Sequence, residues 1–323
     1  MSAARLIRAA AILAAASLLG ACDDIRPPRT GLKPAPAAAP SGGAGPAGSP
    51  SAVGAGMPAV FTPPGHDEIP DGPYGDIVRK GRDIFTNTGE HAAQYVGNSL
   101  SCGNCHIDAG RQADSAPLWG AYVRYPAYRS KTGQVNNFTE RLQGCFEYSM
   151  DGTAPPAGSD VLVALETYSY WMAQGAPVGA QLPGAGYPKE FKPPLPPDYA
   201  RGAAVFVESC ALCHGEAGQG QSVAGRQVFP PLWGAQSYNW GAGMHQLDNA
   251  AGFIKANMPL GRGGSLSDQQ AWDVAMFMNA QERPQDPRYT GDLAETRLKF
   301  HDDPNSLYGL EVDGRLLGSN PSR

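Results

Sequence analysis

The chain has 323 residues, 17% of them charged, with 41 glycines, 30 prolines and a formal net charge of −5. That acidic balance argues against nucleic acid as a partner and suits one with a basic docking face. Beyond residue 66 the length is enough for two small domains, and so much glycine and proline predicts that they are rich in loops.

The N-terminus reads as an export segment. Arg5 and Arg8 precede an apolar run from Ala9 to Gly20, too short to span a bilayer. The run ends Leu19-Gly-Ala-Cys22, which resembles the lipobox of bacterial lipoproteins, so Cys22 is the expected lipidated first residue of the mature chain. An ordinary cleaved signal beside a chance cysteine is the alternative. Acyl chains on Cys22 would hold the protein on a membrane at about 0.8 kcal/mol per buried methylene, and Asp23 resembles an inner-membrane retention signal. Residues 1–22 are thus the predicted signal. Residues 23–66 are a predicted Pro/Ala/Gly tether, with almost no large apolar residue by which to order itself.

Two pentads follow, Cys102-Gly-Asn-Cys-His106 and Cys210-Ala-Leu-Cys-His214. Positions i, i+3 and i+4 share one face of a helix, so two thiols and an imidazole point at one flat object. This is the attachment pattern of c-type haem: Cys102 and Cys105, or Cys210 and Cys213, form thioethers, and His106 or His214 ligates the iron. A redox dithiol or half a zinc site would have to explain a histidine directly after the second cysteine, twice, and a dithiol motif would expect a βαβ context. Two covalently bound haem c groups are the expected cofactors. Such attachment is made outside the bacterial cytoplasm, in agreement with the N-terminus.

The pentads sit in two copies of one unit. Copy one opens with Ile77, Gly81, Ile84 and Phe85 at helical spacing, and copy two with Tyr199, Ala203, Phe206 and Cys210. Each pentad is followed by the same string, Pro117-Leu-Trp-Gly-Ala121 and Pro231-Leu-Trp-Gly-Ala235. Each copy closes with an amphipathic helix. Its stripe is Val161, Leu165, Tyr168 and Met172 in the first; in the second, a capping box of Ser267 and Gln270 precedes Ala271, Val274 and Met278. The predicted fold is all-α, two class I cytochrome c-like domains in tandem, at 67–180 and 199–285. An insertion near 86–101 interrupts copy one, a Pro-rich linker at 181–198 joins the copies, and 286–323 is a tail expected to pack on them.

The repeat also locates candidate sixth iron ligands. Met258 lies 25 residues after Trp233 and precedes Pro259, which fixes the backbone beside it. Met244 is its competitor, while Met276 and Met278 read as closing-helix core. The equivalent position in copy one, 26 residues after Trp119, is Cys145. With Cys22 set aside for lipid and four cysteines for haem, Cys145 has no disulfide partner left, so it reads as a ligand or a reactive thiol. A small buried hydrophobe, with Met150, Met172 or His91 as the ligand instead, is the other reading. A thiolate stabilises ferric iron, so the first haem would have the lower potential.

The segment Tyr125-Pro-Ala-Tyr-Arg-Ser-Lys131, then Arg141-Leu-Gln-Gly-Cys-Phe146 to Ser149, with Asn239-Trp-Gly-Ala-Gly-Met244 and Asn257-Met-Pro259, resembles the dihaem thiosulfate dehydrogenases. The tail sequences Arg297-Leu-Lys-Phe-His-Asp302 and Ser306-Leu-Tyr-Gly309 resemble the same family, and the similarity covers most of 67–310. It implies the joining of two thiosulfates into tetrathionate, or the reverse, at a His/Cys-ligated haem. Electrons would leave through a His/Met haem to an acceptor cytochrome c or a membrane oxidase. By the same resemblance Cys145 is ligand and sulfur acceptor, Arg141 and Lys131 hold substrate anions, Ser149 hydrogen-bonds them, and Met258 ligates the second iron. Asn257 falls where some relatives carry a lysine that exchanges with the methionine, so such exchange is not expected here.

Two features bear on the substrate. Two dianions about 5 Å apart repel by about 3 kcal/mol even at the dielectric of water, so a site that joins them needs fixed cations. Between the first pentad and Cys145 the chain offers Arg111, Arg124, Arg129, Lys131 and Arg141 against Asp114 and Glu140. Against this, Tyr148 stands where the family usually has arginine and Asp151 where asparagine is common, and both changes make the site less positive. A membrane-tethered dihaem carrier without its own substrate is therefore the second expectation. His66, His91, His245 and His301 are read as solvated residues without a role.

Overall fold

Each half of the protein is built on a pair of crossing helices, each pair sealed by one glycine. In the first half the Pro73–Thr86 helix starts with proline in its first turn and buries Val78, Gly81, Ile84 and Phe85. It crosses the Asp160–Met172 helix, whose N-cap Ser159 accepts from Leu162 N–H. A Cβ on Gly81 would stand 2.1 Å from the carbonyl oxygen of Ala164. In the second half Tyr199–Ser209 crosses Asp268–Asn279, and the expected Ser267/Gln270 capping box is formed. There the crossing is made by Gly202, where a Cβ would stand 1.9 Å from Asp273 O. Gly202 and Phe206 therefore match Gly81 and Phe85, one residue out of register with the expected Ala203. Close backbone approach, which only glycine permits, sets the alignment.

This structure, a computed structural model, describes residues 60–319 apart from Gly225 and the side chain of Arg226. The expected export segment, Cys22 and nearly all of the predicted tether lie outside the described residues. Helices dominate, as the all-α expectation required. Among the described residues the additions are three two-stranded antiparallel hairpins, Ala127–Arg129 with Gln134–Asn136, Gln221–Val223 with Arg226–Phe229, and Glu311–Val312 with Arg315–Leu316. Among the described residues no helix is long and apolar enough to cross a membrane.

Three irregular stretches position the site. Residues 86–101 prop up the segment after Cys145: Gly97 N–H donates to Met150 O, Tyr95 O accepts from Thr153 N–H, and the Tyr95 ring meets Phe146 edge-on at 6.1 Å. The stretch 181–198 runs as a strap over both halves. Its Gly184 and Gly186 carbonyls accept from Asp114 and Ala116 N–H, while Lys189 pairs with Asp248 at 2.7 Å. After residue 286 the chain adds the Leu293–Phe300 helix and a hairpin, closing a third core of Trp240, Leu247, Leu307, Tyr308 and Leu317.

Candidate haem and sulfur site

Each pentad is a single helical turn rather than part of a long haem-bearing helix. His106 N–H donates to Cys102 O at 3.1 Å, and His214 N–H to Cys210 O at 3.0 Å. This i to i+4 closure puts the two cysteines and the histidine on one side, as their spacing demanded. Nδ1 of His106 lies 2.6 Å from Ala116 O, and Nδ1 of His214 lies 2.9 Å from Pro230 O. A backbone acceptor on Nδ1 fixes the tautomer and leaves Nε2 as the metal donor. Ala116, which supplies the first carbonyl, has φ of 52°, in the left-handed region that non-glycine residues seldom occupy. Burial holds the thiols protonated, Cys102 near 12 and Cys105 and Cys210 near 11, against the low values of a reactive dithiol. Among the described residues no three His, Cys, Asp or Glu side chains gather to hold a bare metal ion. The donor sets suit a porphyrin rather than a zinc tetrahedron.

An apolar cleft opens beside the second pentad. It is lined by Cys210, Cys213 and His214 together with Met244, Met258 and Met278. Cys105 of the first pentad and Ile107, directly after it, line the same cleft, so the two attachment sites adjoin. Met258 caps the Leu247–Asn257 helix, and the preceding Asn257 is 2% exposed. Asn257 donates to Asp114 O at 3.0 Å and accepts from Gln112 Nε2 at 2.6 Å, tying the base of Met258 to the loop after the first pentad.

Cys145 begins a π-helical turn, Cys145–Ser149, that continues the Phe138–Gly144 helix. Such turns recur at functional sites. Arg141 Nη1 donates to Cys145 Sγ at 2.7 Å. Cys145 is close enough to the first pentad to act electrostatically on Cys102, as Arg141 does on His106. Lys131, on the loop of the first hairpin, donates to Gly241 O and lies 4.6 Å above the Tyr148 ring. Burial, then Arg141, Arg288 and Arg129, lower Lys131 to about 7, with Asp286 opposing. Ser149 is on the same turn, its carbonyl accepting from Asn98 Nδ2 at 2.9 Å.

Of the five expected cations, Arg141, Lys131 and Arg129 converge here. Arg111 instead donates to the carbonyls of Pro63 and Pro64, and Arg124 is exposed. Of the other candidate ligands, Met150 and Met172 are packed in the first core, and His91 is exposed.

Several residues escaped sequence reasoning. Arg288, from the tail, stacks on Tyr148 at 5.2 Å and donates to Lys131 O at 3.4 Å, bringing positive charge to the position where Tyr148 removes it. Asp286 anchors Arg288 at 2.6 Å and contacts His301 at 2.9 Å; His301 in turn lies 3.3 Å from His245. Both histidines are buried and their pKa values lowered, first by burial, which corrects the expectation that they are solvated. His66 likewise meets the Tyr168 hydroxyl at 3.1 Å. Asn239, fully buried, donates to Glu147 O and to Asp151 Oδ1 at 2.8 and 2.9 Å, so the second half braces the Cys145 turn.

A tandem all-α fold with two such donor sets defines a dihaem c-type cytochrome carrying two covalently bound haem c groups. Residues 87–178 match the family described as SoxA/TsdA, cytochrome c domain, and residues 197–278 match that described as cytochrome C oxidase, cbb3-type, subunit III. The chain belongs to the thiosulfate dehydrogenase family: it is 59% identical over 268 residues to the thiosulfate dehydrogenase of Thiomonas intermedia (strain K12), covering 83% of this chain and 85% of that protein. The thiosulfate dehydrogenase of Stutzerimonas stutzeri (strain A1501) is 55% identical over 262 residues, 80% of this chain and 85% of that one. A solved structure, the thiosulfate dehydrogenase TsdBA from Marichromatium purpuratum in its "as isolated" form, superimposes with a TM-score of 0.79 at 49% identity. That match covers 82% of this chain but only 59% of the other.

Proposed function

We propose that this protein is a thiosulfate dehydrogenase, joining two thiosulfates into tetrathionate with release of two electrons, or running the reverse, at the Cys145 turn. The observation that carries the reading is the Arg141–Cys145 pair at 2.7 Å, set among Lys131, Arg129 and Arg288. When bound, the haems take up electrons singly and pass them on; His106 with Cys145 would hold one iron, and His214 with Met258 the other. Arg141 fixes the sulfur of Cys145 and, with Lys131, offsets the repulsion between two dianions. Ser149 offers its hydroxyl to their oxygens. Arg288 removes the main support for a carrier without substrate, because the charge lost at Tyr148 is supplied from the tail.

The place of action we propose is the periplasm, on the inner membrane through a lipid at Cys22, with an acceptor cytochrome c or membrane oxidase taking the electrons. The support is the sequence of residues 1–66; release of a Cys22→Ala variant from the membrane fraction is the expected outcome.

Purified holoprotein given thiosulfate and an artificial acceptor should reduce the acceptor, and a rate no higher than a haem-only control would overturn the reading. The ligand assignments have their own test. Electron paramagnetic resonance should show a low-spin thiolate-ligated haem that is lost in Cys145→Ala, and Met258→Ala should abolish the methionine-to-iron charge-transfer band. Persistence of that band would point to Met244.

A further inference from the structure

Among the described residues three buried side-chain atoms lack a hydrogen-bond partner: Ser237 Oγ, Trp272 Nε1 and Arg283 Nε. The last belongs to a cation that cannot shed its proton. Arg283 is only 2% exposed. Its other nitrogens reach only uncharged acceptors: Nη2 donates to Met278 O at 3.0 Å and Asn279 Oδ1 at 3.3 Å, and Nη1 approaches Leu232 O at 3.5 Å. The guanidinium stacks on Tyr238 at 4.3 Å and on Trp240 at 5.1 Å. Its neighbour Glu282 is committed elsewhere, accepting from Trp240 Nε1 and from Gly318 N–H. Among the described residues no carboxylate pairs with Arg283. A buried charge without a counter-ion is strongly disfavoured, so this site calls for an anion.

The surroundings say which anion. Leu232, Tyr238 and Met278, which hold Arg283, all line the cleft that also contains Cys210, His214 and Met258. The group attached in that cleft brings two carboxylates of its own. We propose that Arg283 binds a propionate of the second haem and keeps it ionised. The proposal rests on two haems being attached, not on the identity of the sulfur substrate. A guanidinium beside the propionate offsets negative charge near the iron. Without it the ferric state gains and the propionate protonates in a more accessible pH range.

A crystal structure of the holoprotein tests this directly. A guanidinium nitrogen of Arg283 within hydrogen-bonding distance of a propionate of the second haem is expected. A guanidinium turned away from that haem, or bound to the first, overturns the proposal. In solution, Arg283→Gln and Arg283→Lys would be compared after haem staining confirms two haems per chain, which checks the dihaem premise separately. At a fixed poise the second haem of Arg283→Gln should show a reduced-to-oxidised ratio lower by about tenfold, with a midpoint that becomes pH-dependent near neutrality, whereas Arg283→Lys stays within about threefold of the parent. An unchanged, pH-independent midpoint in Arg283→Gln sinks the assignment. Should that variant fail to load haem, the crystal structure decides.

Discussion

Lys131 shows how one side chain can make the proposed reaction pH-dependent. Burial and the cations Arg141, Arg288 and Arg129 lower it to about 7 in the native protein. Between about pH 7 and the ordinary lysine value near 10.4 the unfolded chain therefore binds more protons than the native one. Stability should rise with pH across that window, and below pH 7 the full cost of a charged Lys131 is present. Substrate dianions act in the opposite sense and favour the ammonium form, so binding should take up a proton. For thiosulfate, kcat/KM should fall as pH rises above about 7. Lys131→Met should flatten that limb, and Arg288→Gln should shift it to higher pH by removing a neighbouring cation. A profile unchanged in both variants would remove Lys131 from the site. Cys145 could be named from sequence because register and resemblance both pointed to it, and Arg141 and Lys131 because the resemblance and the run of basic residues before Cys145 did. Arg288 could not, since it reaches Lys131 across 157 positions, a contact made only by the folded tail. His245 and His301 were misread for the same reason: a lone histidine in a loop carries no sign of what will cover it.

Among the elements, the helix crossings are the part most exposed to a small change. Gly81 and Gly202 lie where a methyl group would stand 2.1 and 1.9 Å from backbone oxygens of the partner helices, so the helices themselves must separate. Gly81→Ala or Gly202→Ala should each cost at least about 3 kcal/mol, lowering the thermal midpoint by about 6–12 °C. Gly89→Ala, where nothing lies within 4 Å, should leave it nearly unchanged. Equal melting of all three would mean that the crossings are looser than the distances say. These helices were legible from apolar spacing, and the Ser267/Gln270 start from its cap. The hairpins of two to four residues and the π-helical turn were not, being too short to show a period. Copy two was misaligned by one residue because apolar spacing tolerates a shift that a glycine contact does not.

At the scale of the whole molecule, the two halves are joined by polar contacts that composition gave no means to foresee. Asn239 of the second half donates to the Cys145 turn, Asn257 bonds the loop after the first pentad, and the 184–186 strap supplies carbonyls to Asp114 and Ala116. The sequence announced two repeats and a linker, and a linker suggests independence. In the structure both asparagines are buried, so separating the halves would leave their amides and the carbonyls they serve unpaired, at about 1–3 kcal/mol for each orphaned group. The two haem environments should therefore unfold together. Thermal denaturation followed separately at the thiolate-type and methionine-type haem signals should give coincident transitions in the parent protein. Asn239→Ala and Asn257→Ala should lower both midpoints in parallel, because either change weakens the joint rather than one half. Two well-separated transitions in the parent would show instead that the halves are stable modules and that these contacts only dock them.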